Sequence, residues 1–387
     1  MHAQSYHLDV VAHLKATEPE VWAWASSLSV LDQHVRDTRA MLLRETYRLT
    51  NYGHLKAYAT AELVLQRLEI DAPIVLYQGS DGTMNASLYF LPGEVHVVLQ
   101  GPVLEKLSEP ELTALLGHEI AHFKLWSDRD GEFHTAERML QHTQADPNAA
   151  PSHAETLRLY GLHTELYADR GAAVAAQSAL PAISTLVRVH TGLASVDPAA
   201  YLQQAQELEA ADASISKGVS HPESYLRALA VDKWWRRDPD MSQWLRQRLH
   251  GPLTMDRLDL CDQLTLTRIT RRFIALLLRP DFMQGERILT QARAYFPDWG
   301  LSEPCASVDE LGPAQIADSV RAYLNFVMLD LALADPDVQT QALQEAVKMA
   351  RELGSLDALL AALKRDVGLG KREVDRIVRS LPRQTTR

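Results

Sequence analysis

The chain has almost no cysteine. Cys261 and Cys305 are the only two among 387 residues, too few for a disulfide framework. It also lacks a long apolar run. Its most apolar stretches are 273–278 and 323–334. A membrane-spanning helix needs roughly 20 mostly apolar residues. The first stretch is far shorter than that, and Asn325 and Asp330 interrupt the second. Residues 1–11 carry no basic segment followed by an apolar core, so a signal peptide is not expected. Positive charge is scarce as well. The formal net charge is −11, and no basic cluster with interleaved aromatics appears, which argues against a nucleic-acid partner. There is no short-period repeat and no low-complexity tract. The expectation is a soluble, cytoplasmic protein with no membrane span.

Hydrophobic residues make up 46% of the chain, enough to build a core, and the length suits two or three domains. Residues 1–70 read as helices, with apolar residues at helical spacing over 59–68. Strand-like runs follow at 73–77, 86–91 and 94–99. Asp81-Gly82 and Pro92-Gly93 punctuate them as turns, and the last two runs form a hairpin. Ser108 with Glu111 spells a capping box, and Pro110 falls in the first turn, where its missing donor costs nothing. Leu112, Leu115 and Leu116 give that helix a buried stripe. Segment 127–151 is polar and reads as loop or short helix. A second long helix is expected from Ser152, with Glu155 as its capping partner, to about 180. A third capping box is expected at Ser220 and Glu223. Beyond 230 the chain reads as almost entirely helical, with a linker at 296–313. The fold class expected is α+β, mostly helical, with a small antiparallel sheet. The division expected is N-terminal helices (1–70), a central domain holding the strands and the two long helices (71–230), a helical connector (231–310) and a C-terminal helical bundle (311–387).

The most informative residues are His118-Glu119-Ile120-Ala121-His122, an H-E-x-x-H inside that first capped helix. Positions i and i+4 share a helix face. Two imidazoles so placed can hold one zinc ion, and the glutamate between them can reach the water the zinc holds. The chemistry implied is metal-assisted hydrolysis, most often of peptide bonds. The bare pentapeptide is only suggestive, but Gly117 just before it leaves room for close packing. A catalytic zinc takes three protein ligands. The metzincin pattern would place its third histidine where Asp128 stands and its glycine where Leu125 stands, which excludes it. Glu165 in Glu165-Leu166-Tyr167-Ala168-Asp169 fits as third ligand from a later helix, with His153, Glu155 and His163 as competitors. Asp169, one turn on, could accept from the outer nitrogen of a zinc-bound histidine such as His118. Glu119 would serve as general base, taking a proton from the zinc-activated water and passing it to the leaving amine. His221, in Ser220-His221-Pro222, is a candidate donor to the oxyanion; equally, it could be an exposed first-turn residue. Glu223 and Arg227 could form a surface i,i+4 pair. Strand 85–89 is a candidate edge on which an extended peptide could add.

Taken together, Asn85-Ala86, Gly117 with the pentapeptide, Glu165-x-x-Ala168-Asp169, and Ser220-His221-Pro222 with Arg227 resemble metallopeptidase family 48. These are the gluzincins that include HtpX and the CAAX prenyl proteases. The resemblance covers roughly 60–230. It implies His118, His122 and Glu165 as ligands of one zinc and Glu119 as general base. It implies Asp169 beside the ligands, His221 as donor in the transition state, and Arg227 as orienting partner of the acidic groups. It also implies a peptide or protein substrate along the strand at Asn85 and Ala86. The chain departs from the membrane members in having no spanning helix, so their substrates do not carry over. The tail faintly resembles a TerB-like helical domain through the acidic turn Asp335-Pro336-Asp337 between an apolar and an Ala/Leu-rich helix. Asp330, Asp335 and Asp337 there could bind a cation or serve as helix-end acids. The leading expectation is a soluble zinc endopeptidase. The alternative is a latent or non-catalytic zinc-binding scaffold. Such a scaffold would act through a protein partner of its C-terminal helices in a stress or defence response, by analogy alone.

Overall fold

The computed structural model describes residues 1–80, 82–307 and 309–379. Asp81 of the expected turn, Val308 within 296–313, and 380–387 of the expected C-terminal bundle lie outside the described residues. The chain forms two compact units, 1–250 and 251–387.

In the first unit, α1 (Ser5–Thr17), α2 (Pro19–Ala25) and α3 (Leu28–Glu45) lead into β1 (Tyr47–Arg48). Next come α4 (Leu55–Arg67), β2 (Ile74–Gln78), β3 (Asn85–Leu91) and β4 (Glu94–Gln100). The four strands make one sheet in the order β1-β2-β4-β3. The β3–β4 hairpin turns at Pro92-Gly93 as expected, with Leu91 opposite Glu94. The sheet is mixed rather than antiparallel. β4 inserts between β2 and β3 and so runs parallel to β2, with Leu76 opposite Val97. β1 was expected to be helical; two residues are too few to show strand periodicity. One face of the sheet buries Tyr77 and Val98 with Leu42 of α3. α4 and α6 pack against the sheet as well.

After the single turn α5 (Val103–Lys106), the long α6 (Glu109–Ser127) carries the H-E-x-x-H. Its start is fixed as the sequence indicates. Glu111 Oε2 accepts from Ser108 N at 2.9 Å and from Ser108 Oγ at 2.7 Å. That carboxylate is also held by two residues of α9 (Ala179–Thr191). Ser184 donates to it at 2.6 Å, and Arg188 pairs with it.

Of the two expectations for 127–151, loop or short helix, the helix holds over much of the segment. A tight turn with Arg129 and Asp130 at positive φ, 50° and 56°, re-aims the chain, and α7 (Glu132–Gln144) follows. α8 (Pro151–Ala176) then crosses α6. The two helices meet at glycines. A Cβ on Gly117 would lie 2.4 Å from the Ala175 Cβ, and one on Gly171 would lie 2.2 Å from the Ala121 Cβ. Only glycine allows that approach. α8 ends earlier than expected, at Gln177 with φ 54°, and Ser178 caps α9. Glu155 does not cap α8; it binds Arg158 at 2.7 and 2.8 Å. α10 (Pro198–Ala211), α11 (Ser224–Trp235) and α12 (Met241–Leu249) complete the unit. The expected box at Ser220 and Glu223 is absent. Glu223 instead accepts from Ser216 Oγ at 2.7 Å and Lys217 N at 2.8 Å.

The second unit is helical: α13 (Leu260–Leu277), α14 (Glu286–Tyr295), α15 (Asp318–Ala332), α16 (Gln339–Glu352), α17 (Leu356–Arg365) and α18 (Lys371–Arg379). Segment 296–313 is irregular but not a free linker, because Trp299, Ala306 and Leu311 are buried in this unit's core. Asp335 and Asp337 both pair with Arg287, and Asp330 accepts from Tyr295. Among the described residues, no helix in either unit is long and apolar enough to cross a membrane.

Candidate active site and metal centre

On α6 the i,i+4 spacing brings the His118 and His122 rings together at 5.0 Å, nearly perpendicular at 81°. Their Nε2 atoms face each other at 3.3 Å. From across the glycine crossing, α8 delivers Glu165. Its Oε2 lies 3.4 Å from His118 Nε2, and its Oε1 lies 3.7 Å from His122 Nε2. One ligand atom from each of the three residues falls within 4.8 Å of the others.

Around this trio each charge has a partner. Asp169 Oδ1 accepts from His118 Nδ1 at 3.1 Å. Arg227, from α11, donates Nε to Asp169 Oδ2 at 2.8 Å and Nη2 to Oδ1 at 2.7 Å. The same Nη2 is 3.2 Å from Glu165. The surface pair of Glu223 with Arg227 therefore does not form; Arg227 is buried. His221 sits at the rim, its side chain 55% exposed, with Nε2 3.4 Å from Glu165 Oε1 and Nδ1 2.9 Å from Ser220 Oγ. Glu119 is buried. Its Oε2 accepts the backbone N–H of Leu88 at 2.9 Å, which ties the motif helix to the marginal strand β3. Asn85 and Ala86 open that strand, the first exposed and the second buried. The three competing ligands lie elsewhere. Glu155 is bound to Arg158. His163 faces Gln4 at 2.6 Å and His250 at 3.0 Å. Neither they nor His153 joins the converging group.

Burial dominates the electrostatics. Burial pulls the His118 ring down, but the carboxylates of Asp169 and Glu165 beside it outweigh it and hold the pKa up at about 10. Burial takes His122 down to about 4 against the pull of Glu165. It lifts Glu119 above the ordinary carboxylate range, with the cationic His118 opposing. Burial acts the same way on Glu165, but Arg227 and His118 hold it well below that range. Burial likewise opposes ionisation of Asp169, and Arg227 overrides it.

This donor set fits a divalent zinc. Two imidazoles and a carboxylate are a known catalytic set, and the two inward nitrogens share one focus where only one can carry a proton. His122 Nδ1 and Glu165 Oε2 are buried without a hydrogen-bond partner. A bound cation would displace the proton on His118 Nε2.

Two contributors escape the sequence reading. The Leu88 amide is a main-chain group that any residue type but proline would supply. Trp126 lies 5.2 Å from the His122 ring at 30°, and its indole donates to Glu137 of α7 at 2.7 Å. The spacing from His122 to Trp126 is again i,i+4, a signal that was available.

The family model of Peptidase family M48 matches residues 59–131. That span runs from α4 through β2, β3 and β4 to the end of the motif helix. It supports a metallopeptidase of that family, a zinc-dependent group acting on peptides. It stops short of Glu165, Asp169, His221 and Arg227. No curated protein and no solved structure matches the chain significantly.

Proposed function

We propose that the chain is a zinc-dependent endopeptidase of the gluzincin kind. The observation carrying this reading is the convergence of His118, His122 and Glu165 from two helices within 4.8 Å of one another. Glu119 stands beside them, pinned to a marginal strand. In the proposal, His118, His122 and Glu165 hold one zinc. When bound, the ion supplies a Lewis acid that acidifies a water and polarises a carbonyl.

The chain's own residues do the rest. Asp169 fixes the tautomer and plane of His118, and Arg227 fixes Asp169 and Glu165 in turn. Glu119, whose pKa burial raises, accepts the proton of the attacking water and returns it to the departing nitrogen. His221 swings from the rim to donate to the developing oxyanion. The peptide lies extended along β3 from Asn85 and Ala86. The likeness to HtpX and the CAAX prenyl proteases is the finer form of this reading. A cytoplasmic site of action, a peptidase region at 71–230 and a partner-binding role for the TerB-like tail extend it.

The test is Glu119→Gln. Peptide cleavage should fall by about 10²–10⁴-fold, while metal analysis still finds about one zinc per chain. Cleavage retained in that variant removes the role given to Glu119. A wild-type chain that holds zinc yet leaves casein and peptide libraries intact favours the scaffold reading.

A further inference from the structure

Beside Trp126, a hollow of about 200 Å³ opens between β3 and α7. His34 of α3, Tyr89, Trp126, Glu137, Arg138 and Gln141 are among the residues lining it. It touches the proposed reaction centre at two points. Leu88, which also lines it, gives its N–H to Glu119. Trp126 lies against His122.

The hollow contains an unanswered cation. Arg138 Nη1 is buried and has no hydrogen-bond partner. Among the described residues, no carboxylate pairs with this guanidinium. Arg138 as a whole is half-buried; the fully buried arginines among the described residues are both matched, Arg227 with Asp169 and Arg188 with Glu111. The neighbouring acid is already committed: Glu137 accepts from Trp126 Nε1 at 2.7 Å and from Gln141 Nε2 at 3.3 Å. Burial and then Arg138 depress both His34 and His134, which disfavours further positive charge beside the guanidinium. Native interiors keep very few orphaned donors, and each one asks for an acceptor. An arginine fork matches a planar carboxylate with two parallel hydrogen bonds.

Size narrows the ligand. Sites that enclose a whole small molecule span roughly 300–1,000 Å³. This hollow is smaller and suits one side chain. Tyr89, Phe90 and Trp126 offer apolar surface for its methylenes.

We infer that the hollow is a specificity subsite in which Arg138 receives a carboxylate of the bound peptide, so that this chain selects acidic substrates. The inference rests on the peptidase reading for the delivery of a peptide along β3. The carboxylate belongs either to a glutamate side chain or to the end of the substrate chain.

Binding without turnover tests it. The full-length Glu119→Gln chain, with zinc supplied, is titrated calorimetrically with acetylated, amidated Ala/Ser hexapeptides. Each carries one glutamate at one position, and each has a glutamine counterpart. A further hexapeptide with a free terminal carboxylate is compared with its amide. One glutamate position should bind about tenfold more tightly than its glutamine twin, as a charge-assisted hydrogen bond in a partly dry site allows. If the free terminus gains that factor instead, the carboxylate is the chain end. Adding Arg138→Gln should erase the preference. Arg138→Lys, which keeps a point charge without the fork, should retain part of it.

Equal affinity for glutamate and glutamine together with equal affinity for acid and amide overturns the inference. So does a preference that survives Arg138→Gln. The two readings fail separately. Wild type that cleaves peptides but ignores their charge loses only the subsite. A chain that binds acidic peptides through Arg138 and cleaves nothing loses only the peptidase.

Discussion

Two arginines of the first unit live in opposite circumstances. Arg227 is buried against Asp169 with two hydrogen bonds and lies beside Glu165. Arg138 has a buried nitrogen and no acceptor. Where charge is closed on itself, the protein has fixed a geometry; His118, Asp169 and Arg227 form a chain of groups that cannot rotate independently. Where charge is left open, the protein has left room for something that arrives. Only the first arrangement contributes to holding the fold.

The largest effect should come from opening the closed end. Arg227→Ala strands two ionised carboxylates in the interior and should cost about 3–5 kcal/mol in urea unfolding. It should also weaken zinc retention under chelator competition. Unchanged stability would mean that solvent reaches Asp169.

The acid between the two regions comes next. Burial pushes Glu137 up to about 7, with its Trp126 hydrogen bond opposing. An unfolded glutamate titrates near 4.5. The folded state thus holds the extra proton between those values. The stabilisation is complete below about 4.5 and is lost as pH rises through about 7, with an upper bound of about 3 kcal/mol. Glu137→Gln should therefore unfold later than wild type at pH 8 and lose that advantage at pH 5. A pH-independent difference would remove burial as the cause.

Separating the helices is a milder insult. Gly171→Ala sets a methyl against Ala121 and should cost about 1–3 kcal/mol. It should shift Glu165 relative to the histidine pair, so zinc affinity should fall along with stability, while the α7 hollow stays as it was. The smallest effect belongs to the open end: Arg138→Ala should change stability by no more than about 1 kcal/mol. A loss as large as that of Arg227→Ala would erase the contrast.

Much of this was legible in the letters. The mostly helical α+β fold, the β3–β4 hairpin and the capped start of α6 follow from periodicity, turn residues and Ser108 with Glu111. The pair His118 and His122 is legible because helical spacing is local. Glu165 lies 43 residues beyond His122, and only the pattern around it, not its spacing, singled it out. Other features were hidden for physical reasons. α7 was only half legible, as loop or short helix, because its sequence is polar and follows a turn built on two left-handed non-glycine residues, so nothing singled out Arg138. Glu223 imitates a capping acid but is drawn to Ser216 and Lys217. The Leu88 amide has no letter of its own.

The clamp on Glu111 has a consequence for evolution of the chemistry. Two turns of helix separate it from His118, and the fasteners are Ser184 and Arg188 of α9. A rod gripped at one end cannot spin about its long axis, so the aim of the imidazoles is inherited from a neighbour that supplies none of the converging ligand atoms. Drift in α9 would retune the centre from a distance, leaving every reacting group in place.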